Sequence, residues 1–237
     1  AFSVNLTGLD TSTTYYVRAY AINAIDTSFG NVDTVTTLKA IQSISFTSIP
    51  EKTYGDSVFT IAANATSGLE VNFSSSDPGV AVLSNDSITV KGAGTTIITA
   101  SQPGNDSFEA AEAVEQMLFV EKDTVFVTAH DKLKKYGEPN PDLSYSYSKF
   151  SYNEDSTVVD TPPEISTDAT VSSNAGTMEI TITGGTDDNY VIVHTNGILT
   201  IQKDTVTVTA HDKSRVYGSE NPEFTMDYAG FANGEDA

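Results

Sequence analysis

The residues of this 237-residue chain that could do chemistry are three histidines, 32 acidic side chains and several paired aromatics. The histidines are His130, His194 and His211. Two of them, His130 and His211, hold the same place in two near-identical stretches, TVFVTAHDK and TVTVTAHDK. One structural position explains both, because an active site is not normally repeated along a chain. There is no Gly-x-Ser-x-Gly elbow, no His-Glu-x-x-His pair and no glycine-rich phosphate loop, and without cysteine there is no thiolate nucleophile or ligand. The chain is therefore not expected to be an enzyme. Calcium takes six to eight oxygen ligands from loop carboxylates and carbonyls. Glu121 with Asp123, Asp187 with Asp188 in GGTDDNY, and Glu154 with Asp155 in YNEDS, opposite Glu235 and Asp236 in the repeat, are the candidate calcium ligands. None shows EF-hand spacing, and solvated loop carboxylates are the default reading; no other cofactor is expected. Tyr145, Tyr147, Phe150 and Tyr152 suggest a sugar-stacking platform. Against it stand the absence of Trp, an alternation that turns Tyr145 and Tyr147 inward, and a second copy of the stretch that puts Met226 and Asn233 in place of Tyr145 and Tyr152.

Three Tyr-Gly pairs recur in one register: Tyr54-Gly55, Tyr136-Gly137 and Tyr217-Gly218. Glycine adopts the positive φ that a tight turn needs, and tyrosine can close the edge of a β-structure with its polar tip on the backbone. Tyr136 and Tyr217 are accordingly expected to be largely buried, with both glycines in turns of the same shape. A ligand-binding role would instead need tyrosines exposed beside other aromatics. Asn196-Gly197, between two β-rich stretches, has the composition of a type I′ hairpin turn.

The elements that must position these residues are strands. Only 9 residues are Leu, whereas Ser and Thr together make 57, and Thr, Val, Ile and Tyr suit a pleated, half-buried surface. Leu143, Tyr145 and Tyr147 alternate with serines, and Phe224, Met226 and Tyr228 repeat the pattern; both rows are expected to face inward. DSFEAAEAVEQ, residues 106–116, has helical composition and reads as a helical turn or loop before a last strand. The segment from Asp123 aligns without gaps on that from Asp204, with about 17 of 34 positions identical. The repeat divides the chain into residues 1–39, 40–122, 123–203 and 204–237. The outer pieces are shorter than the period, so the chain is expected to be a stretch of a longer polypeptide. The net charge of −20 repels phosphate backbones and anionic membrane surfaces, which argues against nucleic acid as a partner. No apolar run is long enough to span a membrane.

Family resemblances follow from particular stretches. LTGLDTSTTYYVRAYAINAIDTSFGNVDTVTT resembles the last three strands of a fibronectin type III domain. The resemblance makes Leu9 and Tyr15 the tyrosine corner, Val17, Ala19 and Ala21 inward positions, and Ser28 to Asn31 the turn into the final strand. ISFTSIPEKTYGD and the residues after it resemble bacterial Ig-like modules. TVFVTAHDKLKKYGEPNPDLSY and TVTVTAHDKSRVYGSENPEF resemble the MBG family, a bacterial Ig-like module with a Tyr-Gly signature. What these resemblances imply is an all-β string of tandem Ig-like sandwiches from a large Bacteroidetes surface adhesin, of the kind exported by the type IX route, gliding-motility adhesins among them. Such a segment would be extracellular and would act as a stalk, its partners being the neighbouring modules, with a surface or polysaccharide contacted elsewhere in the protein. The alternative is a carbohydrate-binding accessory module of a secreted protein. Asp-Ser and Asp-Thr pairs resemble the O-glycosylation sites of Bacteroidetes surface proteins and mark Thr34, Ser57, Ser87, Thr124, Ser156 and Thr205, although the same pairs are ordinary turn chemistry. The junctions Val120 to Thr124 and Ile201 to Thr205 lack a flexible Gly, Ser or Pro run, so an extended arrangement is expected.

Overall fold

The computed structural model describes residues 3–237 and divides into two compact units, Ala1–Lys122 and Asp123–Ala237. It is all-β; two single 3-10 turns, Ser151–Asn153 and Ser156–Val158, are the helical pieces among the described residues.

The first unit opens on an antiparallel hairpin of β1 (Thr14–Ile22) and β2 (Thr27–Thr36). Asn23 shapes its turn by accepting from the N–H groups of Ile25 and Asp26 at 2.8 and 2.9 Å. The turn expected at Ser28 to Asn31 therefore lies elsewhere: those residues belong to β2, opposite a register shift between Arg18 and Tyr20. Residues 3–13 contribute no third strand, and of the inward row Val17 is half-buried while Ala19 and Ala21 are exposed.

Then follow β3 (Ile44–Phe46), β4 (Lys52–Thr53), β5 (Phe59–Thr60), β6 (Ala63–Ala65), β7 (Asn72–Ser75), β8 (Ala81–Ser84), β9 (Ser87–Val90), β10 (Gly94–Ser101) and β11 (Val114–Glu121). They form a four-stranded sheet in the order β4-β11-β10-β7, a three-stranded sheet β5-β9-β8 and the pair β3-β6. Strict alternation puts Ile98, Ala100, Leu118 and Val120 inside, nearly inaccessible to solvent, and Met117 and Phe119 outside. Each fully buried aliphatic side chain contributes roughly 1.5–3 kcal/mol. Residues 106–116 form no helix. Their backbone groups are claimed by Ala40, which donates to the Ser107 carbonyl and accepts from Glu109 N–H at 2.8 and 2.9 Å, and then by β11.

The second unit contains β12 (Asp123–Ala129), β13 (Lys132–Lys135), β14 (Tyr145–Tyr147), β15 (Glu164–Ser166), β16 (Gly176–Thr183), β17 (Tyr190–Thr195), β18 (Gly197–Gln202), β19 (Thr207–Ala210) and β20 (Met226–Ala229). A sheet β14-β12-β17 and a sheet β13-β18-β16-β15 enclose a core built on Val127, Ile180, Ile182, Leu199 and Ile201. Leu143, Tyr145 and Tyr147 pack against that core, as their alternation predicts, and Tyr136 packs there too. The row Phe224, Met226 and Tyr228 does not follow: these residues are 72, 50 and 44 % exposed. Among the described residues β19 and β20 form a sheet of two strands only, so this row has no opposing core to enter.

Each unit carries a parallel spine, at the same place in the repeat. In the first, Lys52 pairs with Val120 and Thr53 with Glu121; in the second, Lys134 pairs with Ile201 and Lys135 with Gln202. A parallel pair needs a long crossover connection, so each spine closes a whole module by tying an early strand to its last one.

Candidate functional site

The Tyr-Gly signature sits where each spine ends. Gly55, Gly137 and Gly218 all have positive φ, at 98, 85 and 86°. In each copy the residue after the glycine donates its N–H to the carbonyl three positions back: Asp56 to Thr53 at 3.0 Å, Glu138 to Lys135 at 3.2 Å and Ser219 to Val216 at 3.1 Å. That bond, with positive φ at the third position, is the requirement of a type II turn, which favours glycine there. In the first two copies an acid locks the turn from outside. Asp56 accepts from Thr53 N–H at 3.1 Å and Glu138 from Lys135 N–H at 2.8 Å. The tyrosine N–H then extends the spine: Tyr54 donates to the Glu121 carbonyl and Tyr136 to the Gln202 carbonyl, both at 2.8 Å. Tyr54 is buried and Tyr136 half-buried, but Tyr217 is 102 % exposed, contrary to expectation. Its turn has the same shape, whereas no described strand pairs with residues 213–217 and offers the backbone that encloses the other two.

Around the second copy lies a polar network that the sequence does not announce. Lys134 points inward from β13 and is only 4 % exposed. Its ammonium donates to the carbonyls of Glu138 and Thr170 at 3.1 and 2.6 Å and to Asn140 Oδ1 at 2.8 Å. These use its three protons. Asn140 in turn donates to the Ala169 carbonyl at 2.6 Å, and Asp131 accepts from Ile198 N–H at 2.8 Å. Thus the residues of the AHDK to NP signature bind the Tyr-Gly turn, the loop 169–170 and β18 into one block. The next copy keeps part of it, since Arg215, at the place of Lys134, donates to the Ser219 carbonyl. His130 and His211 also answer to one position: Nδ1 meets Ser144 Oγ at 3.1 Å in one copy and Thr225 Oγ1 at 3.0 Å in the other.

Asn196-Gly197 is not a hairpin turn. β17 pairs in parallel with β12, and β18 with β13 and β16, so the chain crosses here from one sheet to the other. Neither residue has positive φ. Asn196 accepts from Ile182 N–H and donates to Glu179, both at 3.0 Å. Gly197 lies against β12, where a Cβ would stand 3.0 Å from the Ala129 carbonyl oxygen. In the first unit the Tyr15 hydroxyl accepts from Asp10 N–H at 2.7 Å, a tyrosine reaching back to the backbone ahead of its strand.

Two of the candidate calcium ligands, Asp187 and Asp123, serve turns through their carboxylates. Asp187 is 7 % exposed and accepts from the N–H groups of Asn189 and Tyr190 at 2.7 and 2.9 Å. Asp123 accepts from Thr124 N–H and Ser151 Oγ, both at 2.7 Å. Asp188 gives its N–H to Asp160 at 2.9 Å, and the Glu121 carbonyl receives Tyr54. Among the described residues no three His, Asp or Glu side chains converge as a metal site. Of the hydroxyls in Asp-Ser and Asp-Thr pairs, Thr34, Ser57, Thr124, Ser156 and Thr205 are exposed and Ser87 is half-buried. Asp123 and Asp204 each cap the N–H of the threonine that follows.

The aromatics form a ladder within the second unit. Tyr145 meets Tyr147 edge-on at 5.6 Å, Tyr147 meets Phe150 at 5.5 Å and Phe150 meets Tyr190 at 5.2 Å. Tyr152 is exposed. A recess of about 670 Å³ in the first unit has Phe73 as its aromatic lining, and that ring packs on Phe46 at 5.5 Å. Burial, followed by the hydrogen bond and charge of Tyr145, pushes the Tyr147 phenol up to about 12. The folded state therefore favours the neutral phenol. This contribution is complete below the unfolded value near 10 and is lost as pH rises through about 12. Urea midpoints of the second unit are expected to fall across that window, and less so in Tyr147→Phe; equal falls in both proteins would contradict this.

Comparison with known families places two stretches. The profile of the MBG domain (YGX type), a family of non-catalytic β modules, matches residues 125–200 and 206–237. No curated protein matches the chain.

Proposed function

We propose that this chain is a spacer segment of a long extracellular bacterial surface adhesin, in which tandem β-sandwich modules hold a distal binding region away from the cell. In this reading residues 1–39 close a fibronectin type III-like module, 40–122 form a bacterial Ig-like module, and 123–203 and 204–237 belong to MBG modules. The observation that supports it is the recurrence of one strand-locking device, at Tyr54 and again at Tyr136, whose acid side chains are spent on the backbone of their own turn. Residues that repeat in order to hold strands serve the making of a string. A binding module would spend its distinctive side chains on its surface. Repulsion from a net charge of −20 would favour an extended string of this kind, although salt screens it beyond about 8 Å.

Small-angle scattering tests this reading. A strand of seven to ten residues spans about 23 to 33 Å, so modules laid end to end should give a maximum dimension on the order of 100 Å or more. Because the carboxylates of Asp123 and Asp187 are engaged in turns, a chelator is expected to leave the profile unchanged. A near-spherical particle would overturn the spacer reading, and a chelator-dependent length would restore calcium to it.

A further inference from the structure

The phenol of Tyr136 does not stay within its own repeat: it donates to Glu235 Oε1, in the following repeat of the same unit. Beside it, Gly137 faces Ala232, and a Cβ at position 137 would overlap the Ala232 side chain. A recess of about 270 Å³ is shared by the two repeats, lined by Tyr136 and Ala175 from one and by Val206, Phe231 and Glu235 from the other. The loop that reaches the turn has a shape of its own. Asn233 and Gly234 have positive φ, 53 and 74°, and Tyr152 and Asn153, which hold the same places in the preceding repeat, have 52 and 59°. The glutamate ending the loop meets a phenol in both copies, since Glu154 accepts from the Tyr190 hydroxyl at 2.6 Å. A loop held in one conformation loses little further entropy on docking.

We propose that the Tyr-Gly turn is also the docking surface for the next repeat: the Tyr136 phenol and the bare face of Gly137 receive loop 230–235 of an MBG-type neighbour, and Glu235 is the latch. The partner is thus a module of the same kind in tandem, recognised by a carboxylate presented at the end of a left-handed loop. This gives the glycine a second requirement besides its φ, because any side chain there would hold the neighbour off. For its purpose the inference rests on the spacer reading, but it is tested by local order, whereas that reading is tested by overall length.

The test is ¹⁵N relaxation on the 237-residue chain, with amide exchange as a control on folding. Amides of residues 207–210 and 226–229 are expected to share the correlation time of residues 176–183 and 197–202. Tyr136→Phe keeps the ring and its packing but removes the donor, and Glu235→Ala removes the exposed acceptor. Each is expected to abolish the shared correlation time while leaving amide exchange in β16 and β18 unaltered, and the double variant should lose no more than either single one. Independent motion of residues 207–229 in the unsubstituted chain, or a shared correlation time surviving in both variants, would overturn the proposal.

Discussion

Replacing Lys134 by Met is expected to destabilise the second unit by about 3 kcal/mol, although it removes a buried charge whose three partners are neutral. Two effects compete. Burying an ammonium costs several kcal/mol, and exchanging a buried ion for an apolar side chain can be neutral or stabilising where both partners go together. Here only one partner would go. The Glu138 and Thr170 carbonyls and Asn140 Oδ1 would remain, at 3.1, 2.6 and 2.8 Å from an atom no longer there, in a site that leaves Lys134 only 4 % exposed. Each abandoned acceptor costs about 1 kcal/mol or more, and hydrogen bonds to a charged donor lie at the upper end of that range. The three together outweigh the desolvation recovered from the ammonium. Because the acceptors carry no net charge, the loss should change little between low and high salt. Amide exchange of β16 and β18 reads the stability of this unit directly. A change as small as that of an ordinary surface substitution would show that the loop accommodates water and that the network does not hold the module.

That network also marks the limit of what the sequence displays. Alternation identifies the rows that enter the core, because period two depends only on neighbours along the strand: Tyr145 and Tyr147 pack where the pattern puts them. The Tyr-Gly signature is equally local, since a turn that needs positive φ at one position announces itself by glycine, and all three glycines have it. Lys134 is different. A lysine beside another lysine in a strand reads as solvated surface, and what buries it is a pair of carbonyls, one of them far along the chain on the loop at Thr170. Carbonyls carry no residue identity, so no spacing rule reveals them. The recurrence of AHDK to NP was visible, but its meaning needed the fold. Tyr217 fails for a related reason. Its turn is encoded within a few neighbouring positions, whereas its burial depends on a strand brought from far along the chain, as Gln202 is to Tyr136. At position 134 the sequence shows the residue but not its surroundings, and at position 217 it shows the turn but not its cover.

Gly197→Val should cost about 3 kcal/mol or more, and the reason separates the observed sheet crossing from the hairpin that Asn-Gly suggests. In a type I′ turn the pair is selected for positive φ, so Asn196→Gly would be harmless and substitution at Gly197 would be strained whatever the space around it. In this fold neither residue has positive φ. Gly197 is required because its backbone passes β12 at close range: a Cβ would lie 3.0, 3.1 and 3.2 Å from the carbonyl oxygen, Cβ and carbonyl carbon of Ala129. Ala129 is held on both sides, by pairing with Tyr145 and by its place in the core, and cannot yield without moving β12. Gly197→Ala must push these atoms by a few tenths of an ångström; valine adds two methyl groups in the same gap, which puts it at or beyond the upper end of the usual overpacking cost of about 1–3 kcal/mol. Asn196→Gly supplies the contrast. It deletes the acceptor for Ile182 N–H, in the buried part of β16, and the donor to Glu179, and is expected to cost about 1 kcal/mol. Urea unfolding followed by tyrosine fluorescence, with amide exchange at Ile182, reads both variants. A neutral Asn196→Gly together with a merely mild Gly197→Val would return this segment to a flexible turn, whereas two losses in the stated order fix it as the point where the chain passes from one sheet to the other.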